Sequence, residues 1–209
     1  MYVLKSLERA ITRIDTVNRR ETLITNLPQL NNDRFSVEYF NMAVHGDLII
    51  LTEHPKDDAN RMTLVRSNAK SGSFDRSLKI TLPNGVYRGT VIHADNNTVS
   101  ILWDYATGFD YQIVKLNLNT GQIVESFPRL TFDFGLFRDY LASDGSTFWL
   151  ARNVAFDNRI MQFDPNTGTL ISPQRNPIFS PSGLARDGKN FWVYDTNPNS
   201  FVKLQLEGL

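Results

Sequence analysis

Apolar and polar residues alternate along most of this chain in short runs, as in Val114-Lys115-Leu116-Asn117-Leu118 and Met161-Gln162-Phe163, and nearly every run stops at Gly, Asn or Asp. A period of two places alternate side chains on opposite faces of an extended strand. Glycine supplies the positive φ that a tight hairpin requires. The pattern also repeats. Leu141-Ala142-Ser143-Asp144-Gly145, followed by Phe148-Trp149-Leu150, matches Leu184-Ala185-Arg186-Asp187-Gly188, followed by Phe191-Trp192-Val193, 43 positions further on. The turns Asn119-Thr120-Gly121 and Asn166-Thr167-Gly168 lie 47 apart, and fainter copies occur at 13–19, 63–72 and 202–208.

Each repeat reads as four strands, here called a to d, joined by an Asp-Gly-type turn between a and b, a longer connection between b and c, and an Asn-Thr-Gly turn between c and d. Strand a is expected near 39–44, 89–93, 139–143 and 183–186, and strand b near 48–52, 99–103, 148–151 and 191–195. Strand c is expected near 11–15, 62–66, 112–117, 159–164 and 201–205, and strand d near 22–25, 76–82, 122–127 and 169–172. Four-stranded units of ~40 to 50 residues are the blades of a β-propeller. The expectation is therefore an all-β, single-domain propeller of about five blades, at 1–28, 29–83, 84–130, 131–179 and 180–209, with the first and last incomplete. Blade one would begin at strand b and blade five would stop at strand c. A helix over 2–17 is the alternative at the N-terminus, because Leu4, Leu7, Ile11 and Ile14 also recur at helical spacing.

The stretch from Gly183 to Asp195, with Phe163-Asp164-Pro165-Asn166-Thr167-Gly168 in the blade before it, resembles the propeller repeats of the YVTN, NHL and gluconolactonase type. The likeness covers the last three blades well and the first two loosely. It implies architecture more than activity, since this fold hosts many unrelated functions. Gluconolactonase-type relatives hold one divalent cation, such as Ca²⁺, on oxygen ligands at the starts of strand a. Carried over residue by residue, that implies Asn41 and Asp139 as ligands, while Ser182 stands where the family pattern has Asn. A hard cation takes six to eight oxygens, so a metal-dependent lactone hydrolase is the alternative reading and a cofactor-free protein the main one.

Composition narrows the classes. Lys plus Arg and Asp plus Glu number 22 each in 209 residues, so the net charge is zero and the electrostatic footprint of a nucleic-acid binder is lacking. There is no cysteine, hence no disulfide framework and no thiolate chemistry. No apolar run approaches the ~18 residues of a membrane span. Lys5, Glu8, Arg9 and Arg13 interrupt what would be the core of a secretory signal, and compartment stays open.

Function is sought at the long b–c and d–a connections, since rigid scaffolds carry binding groups on loops. Arg88 and Arg138, with Tyr87 and Tyr140 beside them, each stand three residues before an aligned apolar position, Val91 and Leu141. They would grip an anionic ligand, or else pair with Asp139 or Asp133 and close the loops. Trp103, Asp104, Tyr105 and Tyr111 frame a loop whose aromatic and acidic content suits a binding surface; the alternative is a cluster packed beneath that loop. His54 is expected in an exposed polar loop, and His45 and His93 at turns. Trp149 and Trp192 are repeat-equivalent and expected to pack between blades. No phosphate cradle and no Ser-His-acid set stands out, and Asn96-Asn97-Thr98 fits a glycosylation acceptor. The role expected is a non-catalytic binding or scaffold module for a protein, glycan or small anionic ligand. A further alternative is a structural subunit whose open blade edges are completed by another chain.

Overall fold

A computed structural model of the chain describes residues 2–5, 10–15, 17–18, 20–27, 37–55, 60–107, 110–131, 140–143, 145–154, 157–164, 166–167, 169–175, 181–187, 190–195 and 200–205. Among these residues there is no helix, and the alternating segments form eighteen strands. Blade one comprises β1 (Tyr2–Lys5), β2 (Ala10–Asp15) and β3 (Arg20–Asn26). Blade two comprises β4 (Val37–His45), β5 (Leu48–Pro55), β6 (Arg61–Asn68) and β7 (Phe74–Thr81). Blade three comprises β8 (Val86–Ala94), β9 (Thr98–Tyr105), β10 (Asp110–Asn117) and β11 (Ile123–Thr131). Blade four holds β12 (Tyr140–Ser143), β13 (Phe148–Val154), β14 (Asp157–Phe163) and β15 (Leu170–Arg175), and blade five β16 (Pro181–Asp187), β17 (Asn190–Asp195) and β18 (Ser200–Gln205).

Each sheet pairs its strands in chain order, giving five sheets of three, four, four, four and three strands. The N-terminal segment thus follows its period-two reading: β1 pairs antiparallel with β2, Tyr2 opposite Arg13 and Lys5 opposite Ala10. The chain divides into two compact units, 1–106 with 115–124 and 107–114 with 125–209. In the first unit β4 lies beside β8 and β5 also touches β8, while β1 touches β4. A strand b therefore meets the strand a of the next blade, and β1 behaves as such a strand b. In the second unit β12 and β13 meet β16 in the same way.

Packing explains the faces. Ile49, Leu51 and Val65 of blade two join Ile11 and Leu27 of blade one in one buried cluster. On the opposite face Met62 reaches blade three, where a Cβ at Gly89 would stand 2.6 Å from Met62 Sδ and 3.1 Å from Ile101 Cγ2. Glycine at 89 is what lets those blades approach, since such overlap is far inside van der Waals contact. In the second unit Trp149 meets Phe191 edge to face at 5.4 Å, within a cluster that includes Ile160, Leu184 and Val193. Trp149 therefore packs between blades as expected. Trp192 differs: in the equivalent place of the last blade it is only half-buried, with Lys203 Nζ 5.8 Å from its ring.

The short turns share one device. Strand c ends at Asp15, Asn68 and Asn117 and, in blade four, one residue before Asp164, and the side-chain oxygen of each accepts from the backbone N–H two residues on: Val17 at 2.9 Å, Lys70 at 2.9 Å, Asn119 at 2.9 Å and Asn166 at 2.8 Å. This Asx turn replaces ladder partners lost where the chain reverses. Gly72 at φ 66° and Gly121 at φ 71° complete two of these turns. Turn is tied to turn within a blade, Ala69 N–H donating to Asp47 O and Leu118 N–H to Asn97 O, both at 2.8 Å.

Candidate functional site

At the other end of blades two and three, strands b run further than their apolar pattern. β5 extends through Glu53, His54 and Pro55, and β9 through Asp104 and Tyr105. This corrects two expectations. His54 is buried in a strand rather than in an exposed loop, and strand b of blade three runs past Trp103 into Asp104 and Tyr105; Trp103, Asp104, Tyr105 and Tyr111 of β10 are all buried, as the packed-cluster alternative has it. Sequence reading stopped these strands at their first charge; the charges are buried because distant residues neutralise them.

Glu53 and Asp104 are each 4% exposed. Glu53 Oε1 accepts from Arg76 Nη2 at 3.0 Å. Asp104 Oδ2 accepts from Arg88 Nη2 at 2.6 Å and from the Tyr87 hydroxyl at 2.7 Å. Arg88 Cζ lies 5.3 Å from the centre of the Tyr87 ring, a cation–π distance. Asp104, itself singled out as a binding residue, pairs with Arg88 from the position directly opposite it in the β8–β9 register, while Asp133 and Asp139, the acids expected to pair with it, lie outside the described residues. The second oxygen of Asp104, Oδ1, is buried with no hydrogen-bond partner, as is Nε1 of Trp103. Consecutive residues on a strand point to opposite faces, so these two orphans belong to different sides of the blade.

His54 ties the two blades together. Its Nε2 lies 2.7 Å from Gly89 O and 3.3 Å from Gly89 N. One nitrogen cannot donate to the carbonyl and accept from the amide at once; the shorter distance makes it the donor to the carbonyl. The loop after β9 is closed by Asp110, whose Oδ1 accepts from Thr131 Oγ1 at 2.8 Å and whose Oδ2 accepts from Thr107 Oγ1 at 3.2 Å. His45 is exposed at the end of β4, and His93 half-buried on β8.

Arg138 and Asp139 lie outside the described residues, as do the side chains of Asn41 and Tyr140. Among the described residues no group of three His, Cys, Asp or Glu side chains could hold a metal ion. No described helix is long and apolar enough to cross a membrane.

Five small antiparallel sheets follow one another along the chain, each wound in chain order. No protein-family model matches the chain, and no curated protein does. Among solved structures it resembles the exo-β-1,3-galactanase of Phanerochaete chrysosporium with bound β-1,3-galactotriose, at TM-score 0.60 and 10% identity, over 95% of this chain and 56% of that one. It also resembles the PQQ-bound aldose sugar dehydrogenase of Streptomyces coelicolor, at TM-score 0.55 and 14% identity, covering 99% and 74% of the two chains. A third likeness is to a nidogen/laminin complex, at TM-score 0.51 and 13% identity, covering 98% and 74%. The fold is a β-propeller. At these identities the likeness establishes architecture alone, and the chain spans little more than half the length of the galactanase chain.

Proposed function

We propose that this propeller is a binding module that engages a glycan, a protein or another small ligand through the long-loop ends of blades two and three. The observation that carries the reading is the placement of buried charge. Two acids, two arginines and a histidine are drawn into the b-strand ends there, whereas the other end is built from exposed Asx turns. Burying a charge costs several kcal/mol even when it is paired, and an apolar residue of similar size would serve stability at least as well. Groups kept at that cost on a rigid sheet are suited to recognition. The fold supports the reading by precedent: the galactanase structure carries β-1,3-galactotriose, and the nidogen structure is a complex with laminin.

Backbone chemical shifts of the isotope-labelled chain, followed while it is titrated with glycan, peptide and small-anion panels, test the proposal. Shifts are expected at 53–55, 84–88 and 104–107. A binding response confined to the short turns at 95–98 and 117–121 would refute it.

A further inference from the structure

Building on that reading, we infer that Asp104, with Tyr87 and Arg88, is the recognition point for a neutral, hydroxyl-bearing ligand, a pyranose sugar, rather than for an anion. The charge balance decides it. Arg88 would be an anion receptor only if its charge were available, and a buried carboxylate already sits 2.6 Å from it. A second anion would have to displace Asp104 or be buried beside it, and like charges in a poorly solvated place repel strongly. The acid has accepting capacity to spare. Oδ2 has both its donors, from Tyr87 and Arg88, while Oδ1 is an acceptor with no donor, sealed from solvent.

An unsatisfied buried oxygen carries a desolvation cost of about 1–3 kcal/mol, more when charged, and a ligand that donates to it recovers that cost. The ion pair is neutral as a whole, which favours a hydroxyl over an ammonium group. Tyr87 completes the match. It is 40% exposed, its hydroxyl donates to Oδ2, and in the bound state it would turn outward to admit the ligand to Oδ1 and offer an aromatic face to the C–H side of a sugar ring. A free sugar and the terminal residue of a glycan present the same chemistry.

The test uses the full chain, by calorimetry and saturation-transfer NMR. Neutral probes are methyl glucoside, methyl galactoside, lactose and cellobiose; anionic probes are inorganic phosphate and citrate; glucosamine is the cationic probe. Neutral sugars are expected to bind in the millimolar range or tighter, and phosphate and citrate not to bind. Tighter binding of the disaccharides than of the methyl glycosides would identify a glycan terminus as the ligand, and equal binding a free sugar.

Tyr87→Ala, which keeps the buried ion pair and hence the fold, should weaken sugar binding by about tenfold, the loss of ~1.4 kcal/mol. Asp104→Asn should weaken it similarly and, by uncovering the charge of Arg88, bring in phosphate binding, a reversal that a merely structural role would not produce. Thermal melts followed by circular dichroism confirm that each variant folds. Phosphate or citrate binding to the unaltered protein at 84–88, with sugars inert, would overturn this inference and leave the binding-module reading standing. Sugar binding unchanged in Tyr87→Ala would likewise overturn it. Failure of every probe class to shift the long-loop residues would overturn both.

Discussion

Glu53 and Asp104 show that burial, rather than distance, sets what an ion pair is worth here. Lys70 Nζ approaches Asp47 Oδ2 to 2.5 Å, closer than Arg76 approaches Glu53 at 3.0 Å, yet its side chains are 78% and 47% exposed against 24% and 5%. Exposed pairs are screened by water and contribute ~0 to 1 kcal/mol. Removing one partner of a buried pair leaves a charge that water cannot reach, at about 3–5 kcal/mol. Glu53→Ala is therefore expected to lower stability in urea unfolding by about 3 kcal/mol, towards the low end because Arg76 keeps some solvent, while Lys70→Ala changes it by less than about 0.5 kcal/mol. Equal losses in the two variants would mean that burial is not the deciding term. The same reasoning explains why sequence reading left Glu53 and His54 outside strand b. The partner of Glu53 is 23 residues away and that of His54 is 35 away, so nothing local marks either residue as part of a strand.

The strands themselves, and the turns that join them, are local features and were largely legible. Period-two alternation located strands in every blade, and the Asn-Thr-Gly spacing located the c–d turn in blades three and four. The same turn in blades one and two is disguised by different residues, Asp15-Thr16-Val17-Asn18 and Asn68-Ala69-Lys70-Ser71-Gly72. What is common to all four is an Asx acceptor at the end of strand c. Asn117→Ala, which removes acceptors for the Asn119 and Thr120 amides at 2.9 and 3.1 Å, should cost about 1 kcal/mol, as for a lost helix cap of the same geometry. Asn117→Asp should keep that stability at neutral pH and make it sensitive to acid. The sign follows from the natural aspartates. Hydrogen bonds from Asn18 and Val17 lower the pKa of Asp15 below its ordinary 3.8. At Asp95 burial pushes upward, but the amides of Asn97 and Thr98 and the Thr98 hydroxyl outweigh it and the net shift is downward. A carboxylate with a lowered folded pKa contributes stability that is present above its unfolded value and lost as pH falls through the folded one. Asp75, brought down to about 2 chiefly by Ser77 and also by Arg66, places the end of that loss near pH 2. The difference in melting temperature between Asn117→Asp and the unaltered chain should accordingly open only below about pH 4; a constant offset across pH would contradict the Asx account.

At the scale of whole sheets, burial falls from strand b to strand d in blades two and three, and this gradient links stability to the proposed site. In the first unit six of the eight residues of β5 and seven of the eight of β9 are buried. None of the seven in β3 is, and only one of the eight in β7, Ile80. β5 and β9 are also paired on both sides, whereas β3 and β7 have a sheet neighbour on one side only. Opening β3 or β7 thus breaks one ladder and exposes little apolar surface, while opening β5 or β9 disrupts both ladders and the packing between blades. Local opening free energies in folded proteins run from near zero to the full unfolding value, and these strands should occupy opposite ends of that range. In native-state hydrogen exchange the amides of 49–54 and 99–104 are expected to be the last to exchange in the first unit, and those of 20–26 among the first. Comparable protection of β3 and β5 would show that this gradient does not govern local opening. The consequence for recognition is direct: Glu53, His54 and Asp104 lie at the ends of these two heavily buried strands, so the backbone beneath them should stay fixed. Tyr87, at the start of β8, is the most exposed member of the Asp104 group. A ligand binding there should slow exchange around 86–88 and leave 99–104 unchanged, because those amides are already held by the fold.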